Sequence, residues 1–149
     1  MAKKFTLSAN QSSIPSLQLT GYYFNTSGQT TFPFFKRALF FENGTVFYDE
    51  ALTTAAEFEE KIQDLDFMSS KRNDITKWGI FTVEKNNIEI EVRMADYYAP
   101  IIKFSGIILS DTSFRLQRAK TKKMSYTIDY VLKFKQLSAK PDSTNNFIK

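Results

Sequence analysis

Cysteine and histidine are both missing from the sequence. Without cysteine there are no disulfides, thiolate nucleophiles or thiolate metal sites, while the redox compartment stays undetermined. Without histidine the chain lacks the side chain most used for general acid–base chemistry near neutral pH and for zinc ligation. No apolar run approaches the ~20 residues that a membrane-crossing helix requires. The start, residues 1–13, carries basic residues but no apolar core of a signal peptide. Two readings of compartment therefore stay open, a cytoplasmic protein or a mature domain separated from its leader. No Gly-rich phosphate loop or metal-ligand cluster occurs, so neither cofactor nor metal is expected. The nearest carboxylate pairs, Glu89 with Glu91 and Asp64 with Asp66, are read as solvated charges on a strand face and near a helix end, and no enzymatic activity is expected.

A formal charge of +4 is mild, and its cations are scattered, so no nucleic-acid partner is expected. The one tight basic run, Arg118-Ala119-Lys120-Thr121-Lys122-Lys123, reads first as a solvated turn between two strands, with an anionic-surface site as the alternative. What the chain has in quantity is aromatic residues, with 15 Phe and 7 Tyr. Such side chains fit pleated, half-buried surfaces and favour a mainly β fold.

The clearest pattern lies at residues 78–109, three strands with turns between them. Ile88, Ile90, Val92 and Met94 alternate with Glu89, Glu91, Arg93 and Ala95, so the first set is expected inside and the second outside. A first strand is read over Leu17–Tyr23, with Gly21 marking a bend or a close backbone approach. Strands at residues 37–42 and 45–49 are joined by Asn43-Gly44, the strongest short-range hairpin signal. Thr54 and Glu57 form a capping box that opens one helix, whose apolar face is Phe58, Ile62 and Leu65 and which packs on one end of the sheet. After the meander come strands at residues 113–117 and 126–136. The count is eight strands and one helix, the helix following the third strand. Residues 1–16 are expected to form a flexible arm, 17–137 one barrel domain and 138–149 a flexible tail. Eight antiparallel strands in a meander can close into an up-and-down barrel, leaving an interior for side chains or one small ligand.

Gly21-Tyr22-Tyr23 opening the first strand, Asn43-Gly44-Thr45 ahead of an aromatic strand, and Trp78-Gly79-Ile80-Phe81 with its hairpin into Ile88 together resemble the lipocalin-like proteins of bacteria. The resemblance implies a secreted or lipid-anchored calycin-type barrel. It further implies a calyx that binds a small hydrophobic or amphipathic molecule, with the loop at residues 24–36 as its lid. Candidate ligand-facing residues are Phe40, Tyr48, Met94, Phe104, Tyr126 and Tyr130 inside, with Phe32, Phe34 and Phe35 at the mouth. Each also has the plainer reading of core packing, the loop phenylalanines as a plug. Trp78 is expected to plug the closed end. Arg93 and Arg115, on the polar alternation of their strands, are expected to be exposed. An alternative is a solid barrel that binds a protein or surface partner through the 24–36 loop.

Overall fold

In a computed structural model, residues 5–7, 17–28, 31–49, 54–94 and 100–148 are described. Eight strands run in sequence order: β1 (Gly21–Asn25), β2 (Arg37–Phe40), β3 (Thr45–Asp49), β4 (Trp78–Glu84), β5 (Asn87–Arg93), β6 (Ile101–Ser110), β7 (Ser113–Lys120) and β8 (Ser125–Gln136). Each pairs antiparallel with the next, and β8 pairs with β1 to close the barrel, Tyr23 lying opposite Phe134. Two helices, α1 (Ala55–Gln63) and α2 (Leu65–Lys71), and a short 3-10 turn at Ile75–Lys77 join β3 to β4. Among the described residues no helix is long and apolar enough to cross a membrane.

The alternation sorts the wall into two faces. Ile88, Ile90 and Val92 of β5 point inward and are fully buried, and Met94 packs against the same interior cluster. Phe104 and Ile108 of β6 belong to that cluster too. At Gly21 and Gly106 the neighbouring backbone comes so near that an added Cβ would lie 1.9 Å from the Lys135 carbonyl and 1.8 Å from that of Arg115. Close approach is the structural reason for glycine at both positions.

Several local expectations are corrected. Residues 17–20 do not extend β1. They cross the end of the barrel, where the Gln18 amide donates to the Asp111 carbonyl at 2.7 Å and buried Leu17 joins the interior cluster. Strand β7 does not stop at Gln117. The pairing skips that residue, so Gly106 faces Leu116 while Ser105 faces Arg118. This bulge resets the alternation, placing Leu116 and Ala119 inside although three residues apart.

The expected single helix is two. The Thr54 hydroxyl accepts from the Glu57 amide at 3.2 Å, as the capping pattern implies. At Asp64, however, the backbone turns extended, and its carboxylate accepts from the amides of Asp66 and Phe67, ending α1 and capping α2. The break swings Leu65 into solvent, 80% exposed, and Met68 takes the buried place. The helices cover the barrel's outer wall and not an end of the sheet. Phe58, Ile62 and Met68 form a second core with Tyr22, Leu39, Phe47 and Trp78, the outward residues of β1 to β4. Trp78 is therefore no plug. It lies under the helices, edge-on to Phe47, and its indole N–H donates to the Lys71 carbonyl at 2.8 Å.

The segment at residues 138–148, expected as a flexible tail, runs back over the protein. Asn43 Nδ2 donates to Ser143 Oγ at 3.0 Å, the Asn146 amide donates to the Arg72 carbonyl, and Ile148 packs on the outer core. Of residues 1–16, expected as a flexible arm, only residues 5–7 are described.

Candidate functional site

Meander topology puts the connections β1–β2, β3–β4, β5–β6 and β7–β8 at one end of the barrel. This end is the candidate mouth. The other end carries the crossing residues 17–20, and Tyr23 ties it shut by donating to the carbonyls of Gln18 and Asp111 at 3.0 and 3.1 Å.

Interior aromatics form two layers. The deeper one joins Tyr23, Phe40, Phe81 and Phe114, with Phe40 edge-on to Phe81 at 4.9 Å between centroids. The layer toward the mouth is Tyr48, Phe104 and Phe35, the last stacked on Tyr48 at 6.1 Å and edge-on to Phe104 at 5.0 Å. Phe35 has no exposed surface, yet it comes from the β1–β2 loop and not from a wall strand. Above it the loop leans on β8. Phe32 sits edge-on to Tyr126 at 5.3 Å, and the Tyr130 hydroxyl donates to the Pro33 carbonyl at 2.8 Å. Burial raises the pKa of Tyr130, which keeps the phenol a neutral donor.

The candidate residues thus divide. Phe35, Tyr48, Phe104, Tyr126, Tyr130 and Phe32 meet at the mouth-side layer. Met94 and Phe34 are partly buried, and Phe40 belongs to the deeper layer. Sequence reasoning missed Ile102, 2% exposed, and Ile128, whose inward faces follow from the same period of two. The Tyr48 hydroxyl needs no ligand for its hydrogen bond, since it donates to the Arg93 carbonyl at 2.5 Å.

Outside the wall, Arg93 and Glu91 differ from the expected solvated state. Both point outward, but residues 5–7 lie over them. The Glu91 carboxylate, 1% exposed, accepts from the amides of Thr6 and Leu7 at 3.0 and 2.7 Å and from the Thr6 hydroxyl, while the Phe5 ring stacks 4.8 Å from the Arg93 guanidinium. Burial lowers the Arg93 pKa, with Glu91 opposing. Arg93 therefore faces away from the interior, as does Arg115, which pairs with Asp129 at 3.1 Å.

A concavity of about 440 Å³ lies beside the β2–β3 turn and includes Leu19, Phe41, Glu42, Asp142 and Lys140. The Lys140 ammonium donates to the carbonyls of Leu19 and Phe40 and lies 4.5 Å from the Phe41 ring centre. Burial pulls its pKa down to about 8, against an opposing pull from Glu42. The amine thus ties residues 17–20 and the end of β2 to the C-terminal segment.

The fold is a closed eight-stranded up-and-down β-barrel, consistent with the lipocalin-like architecture. Compared with known proteins, the chain matches no family model, no curated protein and no solved structure.

Proposed function

We propose that the protein is a non-enzymatic, lipocalin-like binder of a small hydrophobic or amphipathic molecule, held at the mouth of the barrel. One observation carries the reading: Phe35, the ring that fills the mouth-side layer, is supplied by a loop. A strand residue can leave the core only if the sheet opens, whereas a loop residue can leave by movement of its loop alone. Withdrawing the ring would uncover an apolar cup bounded by Tyr48, Phe104, Ile102 and Met94, with the hydroxyls of Tyr126 and Tyr130 at its rim. Apolar walls with a few convergent polar groups are the composition of small-molecule sites. An apolar space of about 150 Å³ accepts a benzene-sized molecule, and movement of the whole loop would admit more.

The competing reading is a solid barrel that presents the loop at residues 24–36 to a protein or surface partner, and it is favoured by the full burial of Phe35. Native mass spectrometry of freshly purified protein separates the two. A retained lipid-sized mass, lost when Tyr48 and Tyr130 are replaced together by alanine, supports the binder. A bare chain mass from every expression host supports the module.

A further inference from the structure

The β7–β8 hairpin carries a charge distribution that ligand binding does not use. Residues 112–128 contain Arg115, Arg118, Lys120, Lys122 and Lys123 and no acidic residue. Arg115 is paired with Asp129, but the other four form no ion pair among the described residues. All four are exposed, Arg118 and Lys120 on the outer face of β7 and Lys122 and Lys123 in the turn. The turn is held by Thr121, whose hydroxyl accepts from the amides of Lys123 and Met124 at 3.3 and 3.0 Å. Next to these cations Met124 is 55% exposed. Two residues further on, Tyr126 meets Phe32, itself 38% exposed. Cations, an exposed thioether and an exposed aromatic ring thus share one corner of the mouth.

We propose that this corner, built from Arg118, Lys120, Lys122, Lys123, Met124 and Phe32, docks the barrel mouth onto an anionic lipid surface. Charge complementarity argues for the occupant, because clustered Lys and Arg are drawn to anionic headgroups, each contributing about fivefold in partition. The apolar pair distinguishes a lipid surface from a purely polar polyanion. Met124 and Phe32 can enter the headgroup boundary, where apolar and aromatic side chains are favoured beside cations. The placement brings a lipid surface to the same end of the barrel as the cup, although docking does not depend on anything being held there.

The test is co-sedimentation of the whole protein with vesicles of phosphatidylcholine alone, or with a third of the lipid replaced by phosphatidylglycerol. The expected result is partition to the anionic vesicles only, weakened by salt as the screening length shrinks. K122Q/K123Q reduces it about 25-fold, from two charges at about fivefold each. M124S also weakens it while leaving retention on heparin unchanged. Both sites are exposed, and near-ultraviolet circular dichroism verifies that each variant is folded. Failure to bind anionic vesicles, equal binding to both vesicle types, or insensitivity to K122Q/K123Q overturns the proposal. So does an M124S variant that binds vesicles as well as the native chain, which would mark a general polyanion site.

Discussion

Replacing Phe35 by alanine probes the mouth most sharply. The ring is fully buried and touches Tyr48 and Phe104 in a stacked and an edge-on contact. Core Phe→Ala substitutions cost about 3–5 kcal/mol, and the spread reflects how far the surroundings collapse into the gap. Because Phe35 is on a loop that can settle partway into the gap while leaving part of it open, the lower end applies, about 3 kcal/mol. At a urea slope of about 2 kcal/mol per M, the unfolding midpoint falls by about 1.5 M. The single tryptophan, Trp78, reports the transition by fluorescence, since it is buried in the outer core, away from the substitution. The variant should then regain stability with benzene, about 2.7 kcal/mol when the free concentration is a hundred times the dissociation constant. A loss below about 1 kcal/mol would show that Phe35 does not close the core. A loss of about 3 kcal/mol with no recovery in benzene would show that the space left by the ring does not accept an apolar molecule, and the binding reading would lose its basis.

Two further expectations concern the frame. G106A places a methyl group 1.8 Å from the Arg115 carbonyl, against backbone that cannot yield without breaking the β6–β7 ladder, so it should destabilise by about 1–3 kcal/mol or more; a thermal melt close to that of the native chain would contradict the close approach. Lys140 has a folded pKa of about 8, below its unfolded 10.5, so the unfolded state binds more protons between those values and native stability rises with pH across that window. The stability difference between the native chain and K140M should therefore shift in favour of the native chain from pH 8 to pH 10, and urea titrations showing a flat difference would refute the burial of that amine.

The interior was legible because alternation is a direct consequence of strand geometry. Ile88, Ile90 and Val92 face inward for the same reason that Glu89, Glu91 and Arg93 face outward. Closure followed from eight strands in sequence order, joined mostly by hairpin-length connections. What the pattern did not convey was the fate of outward residues. Glu91 and Arg93 are buried by Phe5, Thr6 and Leu7, more than eighty positions away in sequence, and no local period carries that contact. Leu39, Phe47 and Trp78 needed cover on the outer wall, and the signal was present, since β2 and β3 each carry a large apolar residue, Leu39 and Phe47, on the face opposite their inward residues. The helix break at Asp64 was hidden because Phe58, Ile62 and Leu65 keep a good helical spacing through it. A capping aspartate with free amides two and three residues ahead overrides that spacing. At the mouth, the alternation and the 24–36 loop pointed to aromatic residues of which Phe32, Phe35, Tyr48, Phe104, Tyr126 and Tyr130 lie together in the structure, but left open whether the loop is plug or lid. In the structure Phe35 is a plug, and the binding proposal requires that it also yield.

That requirement is tested most directly by nuclear magnetic resonance titration of the native protein with a medium-chain fatty acid as an amphipathic probe. The account predicts saturable shifts confined to Phe32–Phe35, Tyr48, Met94, Ile102, Phe104, Tyr126 and Tyr130, with loss of the Tyr130–Pro33 hydrogen bond as the loop moves. An absence of saturable shifts, or shifts confined to the helix-covered wall around Trp78, would contradict it.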